Sequence, residues 1–329
     1  MKEYDTRSIR NVALIAHGGT GKTSLTEAML FESGAIARMG RVEEGTTTSD
    51  FDPDEVKRKI SVNLSVLPCE WKGVKVNLID TPGYADFIGE EKCGVRAADA
   101  ALIVVDAAAG VQVGTEIAWE CADDAGSPRA FFVNRIDREN ADFDAAVTKI
   151  REIFGNKCVP IQLPIGAQER FTGIVDLIAM KAFMGDKASE ASIPEDLAQT
   201  ALQYREQMIE AIAEADDDVI NKYLEGEELS EEEISRALRS CGSTRYRVPD
   251  HGWLGGTKCR RRLPARRDRE ELRIACRSAD ARGEEAVRRR GAANCRPGRA
   301  AGGARIQDDC RSVRRPVDIL SRVLGRYAQ

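Results

Sequence analysis

Ala16-His17-Gly18-Gly19-Thr20-Gly21-Lys22-Thr23 lies between an apolar run, Ile9 to Ile15, and a helical pattern that opens at Ser24. Strand, glycine-rich loop and helix in that order are the sequence form of a phosphate loop, here with Ala16 in place of the opening glycine. Glycines let successive backbone N–H groups turn inward around phosphate oxygens, and the helix N-terminus adds the positive end of its dipole. In such a loop Lys22 reaches the β- and γ-phosphates, and the Thr23 hydroxyl meets Mg2+. His17 by itself carries no further signal.

Two later motifs complete the pattern. Asp80-Thr81-Pro82-Gly83 ends the run Val74 to Ile79, where a carboxylate at the carboxyl end of a parallel-type strand can hold Mg2+ through water. Gly83 can bring its backbone N–H to a γ-phosphate because no side chain blocks the approach. Alone these four residues read as a turn, but behind a phosphate loop they read as a switch. Asn134-Arg135-Ile136-Asp137 closes the run Arg129 to Val133. There the Asp137 carboxylate can accept hydrogen bonds from N1–H and the exocyclic amine of guanine. Adenine offers no such donor pair and would leave the carboxylate unpaired. Three motifs in this order predict a site for GTP or GDP with Mg2+.

These residues resemble the G domain of bacterial elongation factor G and, more closely, its elongation-factor-G-like relatives. The resemblance runs from about Arg7 to Arg239. It includes Asp80-Thr81-Pro82-Gly83-Tyr84-Ala85-Asp86-Phe87, Gln162-Leu163-Pro164-Ile165-Gly166 and Lys222-Tyr223-Leu224-Glu225-Gly226-Glu227-Glu228. The last two stretches fall in an insertion that small signalling GTPases lack. The resemblance implies a P-loop NTPase fold, hydrolysis of GTP to GDP in a ribosome-linked elongation step, a cytoplasmic location and a monomer.

Where the chain departs from the family, the chemistry is affected. The family's water-positioning His after Asp-Thr-Pro-Gly is Tyr84 here. A phenol with an ordinary pKa near 10 can donate a hydrogen bond but does not act as an imidazole, so slower turnover is expected, with Tyr84, Lys22 and Gly83 as the catalytic set. The elongation-factor-G-like relatives share this Tyr. The first switch aligns Ser61, in Lys59-Ile60-Ser61-Val62, with the family's Mg2+-binding Thr, giving Thr23, Ser61 and Asp80 as the metal set. Gly19 replaces an Asp found in many translational GTPases, which leaves a monovalent cation there without its ligand. Arg135 replaces the usual Lys of the guanine motif. Its stem can pack beside the phosphate loop, although Arg and Lys differ in buried geometry.

Strands are expected near 9–15, 61–70, 74–80, 100–106 and 129–134, and helices near 22–34, 86–98, 114–125 and 141–154. That alternation predicts an α/β, doubly wound, mostly parallel sheet, with 61–80 turning at Lys72-Gly73 to give one antiparallel edge strand. Residues 35–60 read as a mostly loop-like, mobile switch. The G domain is set at 1–157. An inserted α+β subdomain is set at 158–240, with strands near 159–165 and 171–184, a helix near 195–213, and another from about 231 opened by a Ser230/Glu233 capping box.

Beyond residue 240 the composition changes. Residues 1–240 carry 14 Arg and 12 Lys against 44 acidic residues, whereas 241–329 carry 22 Arg and one Lys against 10. The tail has no Phe and no sustained period, so it is expected to be largely disordered. It has three readings: a nucleic-acid-binding arm using Arg260-Arg261-Arg262 and Arg288-Arg289-Arg290, a linker, or an out-of-phase translation of a GC-rich gene. Reading Tyr246 to Arg269 one base later permits a strand, a Gly-Ser-Ala loop and an amphipathic helix, which favours the third. The frame change would remove the Gly-Ser-Ala guanine motif and the later domains, leaving a truncated form unable to translocate. Two alternatives to a ribosome-linked GTPase stay open: a GTP-binding module without useful turnover, and an Arg-rich RNA binder carrying a nucleotide domain.

Cys69, Cys93, Cys121 and Cys158 sit singly among apolar residues, as small hydrophobes in a reducing compartment do. The tail cysteines lack Cys-x-x-Cys pairing, which argues against zinc. The apolar run Ala100 to Val105 has a strand's length and is cut by Asp106, so neither a membrane span nor a secretory signal is read.

Overall fold

Five of the apolar runs are strands of one sheet: β1 (Ile9–Ile15), β2 (Ser65–Trp71), β3 (Val74–Asp80), β4 (Ala100–Asp106) and β5 (Arg129–Asn134). In this computed structural model, residues 3–156, 158–185, 189–213, 217–225 and 229–243 are described. The readings of the 244–329 segment lie outside the described residues. The sheet order is β2-β3-β1-β4-β5. All pairings are parallel except β2 with β3, where Trp71 faces Val74 across a two-residue turn. Lys72 and Gly73 both take positive φ, 48° and 84°, the conformation that matches the twist of a tight hairpin. The expected antiparallel edge strand is therefore present, although β2 starts at Ser65. Ser61 lies in the loop before it.

The helices are α1 (Lys22–Glu32), α2 (Pro53–Arg58), α3 (Ile88–Ala97), α4 (Val113–Asp124) and α5 (Phe143–Phe154). Strand side chains alternate between two cores, as both-faced burial requires. Val12, Leu14, Val76, Leu78, Leu102, Val104 and Phe132 meet Leu25, Ala28, Met29 and Leu30 of α1. Ala13, Ile15, Ile79, Ala101, Ile103 and Val105 meet Val95, Ala118, Ala122 and Ile150 of the other three long helices. Helix α2 interrupts a stretch expected to be loop. Its signal was present in the chain: Asp52 and Glu55 form a reciprocal capping box around Pro53 at the first helical position.

The later segment builds a second sheet, antiparallel throughout, from β6 (Gln162–Ile165), β7 (Gly173–Asp176), β8 (Lys181–Met184) and β9 (Ser189–Ala191), followed by α6 (Glu195–Ala213), α7 (Asp217–Glu225) and α8 (Glu231–Ser243). The single strand expected over 171–184 is two strands. Asp176 accepts hydrogen bonds from the backbone N–H of Ile178 at 2.9 Å and Ala179 at 3.1 Å, closing a turn between them. Leu163, Val175 and Leu177 form a core of their own with Met208, Ile212, Val219 and Ile234. The Ser230/Glu233 box forms as read: Glu233 N–H donates to Ser230 Oγ at 3.3 Å, and Ser230 N–H to Glu233 Oε2 at 3.0 Å. Helix α8 runs to Ser243, three residues past the expected boundary. Tyr204 Oη donating to Asp144 (3.2 Å) and Arg151 donating to Gln207 (2.9 Å) join α6 to α5.

Ile103 is fully buried at the centre of β4. Ile103→Ala should destabilise the chain by about 2–5 kcal/mol, the transfer term plus the cavity left behind. Urea unfolding would read this as a lower midpoint with an unchanged slope; a loss below about 1 kcal/mol would contradict a close-packed central strand.

Candidate nucleotide site

The carboxyl end of β1 runs directly into the glycine loop and then α1. Gly19 and Gly21 take φ of 79° and 94°, and Gly21 is the N-cap of α1. A β-carbon at Gly21 would also stand 2.7 Å from Asn134 Nδ2, so the position is closed to side chains both by backbone and by space. Lys22 folds back over the loop and donates to the carbonyls of Ala16 (3.2 Å) and His17 (3.3 Å). Thr20 Oγ1 donates to the same His17 carbonyl at 3.0 Å. The imidazole of His17 accepts the Gly114 backbone N–H at 3.3 Å, tying the loop to the start of α4. That role gave no signal in the sequence.

The end of β3 closes against the same loop. Thr81 is fully buried and donates to the Leu14 carbonyl at 2.7 Å. A β-carbon on Gly83 would collide with Lys22 Nζ and lie 2.8 Å from the Ala16 carbonyl oxygen and 2.9 Å from Gly18 N. Glycine is thus required at Gly83 by close approach. Next to it Tyr84 is 44 % exposed, its ring lying over Gly18.

Asp80 is 2 % exposed, and neither carboxylate oxygen has a hydrogen-bond partner among the described residues. Burial pushes its carboxyl up to about 6, against the opposing pull of Lys22 and of the Thr23 hydroxyl nearby. Burial likewise lowers Lys22, and the attraction of Asp80, Glu91 and Asp50 only partly offsets it. For both groups desolvation outweighs their mutual attraction.

Thr23 and Ser61 hydroxyls approach to 3.2 Å, and Ser61 donates to Asp50 Oδ1 at 2.7 Å. Two residues of the expected metal set, Thr23 and Ser61, are thus joined, and Ser61 is bonded to a carboxylate outside that set; the third, Asp80, is close enough to feel the Thr23 hydroxyl. Asp50 is 4 % exposed, and burial raises its carboxyl despite the bond from Ser61. It lies in the polar run Thr46-Thr47-Thr48-Ser49-Asp50, which has no period to set one acid apart. An all-oxygen group with an orphaned buried carboxylate suits a hard cation such as Mg2+. Among the described residues no three His, Cys, Asp or Glu side chains cluster as a metal cage.

Of the guanine motif, Asn134 turns toward the loop, its amide donating to the Thr20 carbonyl at 2.9 Å. Arg135, at φ 63°, pairs with Asp106 at 2.7 Å, and its Nε is 3.7 Å from a β-carbon built on Gly21. It is the guanidinium end of Arg135, and not its stem, that these distances place beside the phosphate loop. Asp106 was not anticipated; it ends β4 and also accepts from the N–H groups of Ala108 (2.9 Å) and Ala109 (3.2 Å). Asp137 is half-buried in the turn beyond.

A mostly parallel sheet whose central strand passes through a glycine loop into a helix is the P-loop NTPase fold. Residues 7–257 match the elongation factor Tu GTP binding domain. Over 251 residues the chain is 42 % identical to elongation factor G of Thermotoga maritima and, equally, of Thermotoga petrophila, in each case covering 74 % of this chain and 36 % of the relative. A solved structure from Thermus thermophilus superposes with a TM-score of 0.67 at 41 % identity, covering 71 % of this chain and 36 % of that one. The chain belongs to the elongation factor Tu GTP binding domain family, and its G domain is similar to that of elongation factor G. The matched part spans 36 % of the length of those elongation factors. No described helix is long and apolar enough to cross a membrane.

Burial raises the Asp106 carboxyl, but the Arg135 bond and the two N–H groups outweigh it, holding the group below its ordinary value of 3.8. A carboxyl depressed on folding adds stability above its unfolded pKa and loses it as pH falls through the folded one. Asp106→Asn should therefore cost about 1 kcal/mol at pH 7, and the difference from the unaltered chain should shrink below pH 4. Thermal melts across pH would show it; a deficit independent of pH would rule out the charge as its source.

Proposed function

We propose that this chain binds GTP and GDP with Mg2+ and hydrolyses GTP slowly, in a step linked to the ribosome. The observation that carries this reading is the convergence on one loop of Lys22, the orphaned Asp80 carboxylate and the Thr23–Ser61 hydroxyl pair, with Asn134 bonded to the loop's own backbone. Three elements distant in sequence are thereby held where phosphates, a cation and a base would meet.

In this reading the N–H groups of Gly18 to Thr23 cradle the phosphates, with Ala16 and His17 supplying the carbonyls that fix Lys22. The Lys22 ammonium balances charge on the β- and γ-phosphates. Thr23, Ser61 and Asp80 would hold Mg2+, which when bound neutralises charge that builds on the phosphate oxygens. Gly83 offers its N–H to the γ-phosphate, and the Tyr84 hydroxyl donates to the attacking water without taking its proton. Asp137 selects guanine, with Arg135 and Asn134 holding its turn against the loop. We further propose residues 1–157 as the G domain and 158–240 as its inserted subdomain, with the Arg-rich tail counted from 241 on composition although α8 runs on to Ser243. The ribosome as partner, the cytoplasm as location and a monomeric state rest on the kinship with elongation factors.

A second reading, a guanine-nucleotide-binding module without useful turnover, is favoured by Tyr84 itself, because a phenol stands where the family's base would act. The reading as an RNA binder rests on arginines outside the described residues.

Competition for a labelled guanine nucleotide should favour GTP and GDP over ATP by at least a hundredfold, since the wrong base leaves the Asp137 carboxylate unpaired. Asp137→Asn should move preference toward xanthine nucleotides, whose C2 carbonyl needs a donor. Equal displacement by ATP and GTP would refute the assignment. Tyr84→His should raise the rate of phosphate release at saturating GTP by about 10-fold or more, the contribution of a placed general base. An unchanged rate with ribosomes present would support the module without turnover.

A further inference from the structure

Gly18 is the one phosphate-loop glycine whose neighbour is an aromatic ring. A β-carbon at Gly18 would lie 2.9 Å from Tyr84 Cζ, 3.0 Å from Cε2 and 3.1 Å from Cε1, and its backbone N is the atom that a β-carbon on Gly83 would approach at 2.9 Å. Gly18 therefore carries two neighbours at once, the Gly83 backbone and the Tyr84 ring. Unlike Gly19 and Gly21, it does not take positive φ. Backbone conformation does not demand a glycine there. The ring does.

Tyr84 nevertheless stays 44 % exposed, so its other face and edge meet solvent. It packs as a cover on the loop and not as part of a core. A β-carbon on Gly83, beside it, would also collide with Lys22 Nζ, the cation assigned to the outer phosphates. The ring thus lies at the Gly18 end of the loop, on the side where a third phosphate would be met. In the nucleotide site proposed above, the first two phosphates would fall to the N–H groups nearer Gly21 and the start of α1.

We propose that Tyr84 is a lid on Gly18 that distinguishes nucleoside triphosphate from diphosphate: the third phosphate must displace the ring, whereas GDP binds beneath it. This inference rests on the nucleotide site proposed above and adds to it a specificity device made of one ring and one missing side chain. A competent, lid-open fraction of about one in ten would weaken apparent GTP affinity about tenfold and leave GDP affinity unchanged.

Three variants test it with fluorescent GTP and GDP analogues and Mg2+. Tyr84→Ala should tighten the triphosphate about tenfold while moving the diphosphate less than twofold. Gly18→Ala, read only as the ratio of triphosphate to diphosphate affinity because the Gly18 N–H belongs to the phosphate cradle, should raise that ratio about tenfold with Tyr84 still present, since the new methyl drives the ring off. In the double variant the two effects should not add, since either change alone opens the lid. Diphosphate affinity serves as the control for folding. Chain labelled with 3-fluorotyrosine gives a second readout: one 19F resonance, absent in Tyr84→Ala, should shift on adding a non-hydrolysable GTP analogue and stay in place with GDP. Equal changes in GTP and GDP affinity, or additive effects in the double variant, would overturn the lid while leaving the nucleotide site intact. Failure of the unaltered chain to bind either nucleotide would overturn both.

Discussion

A cation buried at the mouth of a sheet is the constraint around which this molecule is arranged. Lys22 is 7 % exposed, and among the described residues its ammonium is bonded only to loop carbonyls. Such a group is costly to bury unless opposite charge stands near. The acids whose fields act on it come from three places in the chain: Asp80 at the end of β3, Glu91 in α3 and Asp50 in the loop after α1. Glu91 is itself buried, its Oε1 without a hydrogen bond among the described residues, and burial pushes it up to about 7 against the pull of Lys22.

The long segment between α1 and β2 obeys a related rule. It contains little regular structure, yet two carboxylates anchor its backbone. Glu27, on α1 and 1 % exposed, accepts from the Gly40 N–H at 2.9 Å and from the Thr48 N–H. Glu55, equally buried on α2, accepts from Val62 and Asn63, each at 2.9 Å, and from Asp52 at 3.2 Å. A buried carboxylate needs donors, and backbone N–H groups without a strand partner need acceptors. Each satisfies the other, and the outcome brings Asp50 and Ser61 to Thr23. The path of the first switch is set by hydrogen bonds, where the sheet is set by apolar burial.

That difference explains what could be read from the residues. The sheet, its two-sided core and its antiparallel edge follow from runs such as Ala100 to Val105 and from the turn at Lys72-Gly73, features with a period and a local conformation. The phosphate loop and the two later motifs follow from spacing. Asp50, Asp106 and the His17–Gly114 bond did not, because each depends on a partner 11 to 97 residues away. The strand begins four residues later than its pattern predicts: Ser61 to Leu64 alternate like a strand, but Val62 and Asn63 give their N–H groups to Glu55 and Leu64 gives its own to Glu90. Local β preference yielded to buried side-chain acceptors.

The same accounting gives Asn134 a role different from that of its motif partner Asp137. Its amide donates to the Thr20 carbonyl, and its Oδ1 accepts the Arg135 N–H at 2.9 Å, so both ends of the side chain are engaged within the protein. Arg135 in turn reaches Asp106 at the end of β4 and passes beside Gly21. Asn134 and Arg135 therefore join the base-reading turn to the phosphate loop from two sides and leave Asp137 as the residue whose carboxylate has yet to be matched. Were a base to bind Asp137 as proposed, it would bear on the turn that Asn134 and Arg135 tie to Thr20 and Gly21, and so on the N–H groups proposed to face phosphate. Base choice and phosphate grip are then one mechanical unit, which is why a change at Asn134 should disturb both, although its side chain is already spent on the protein.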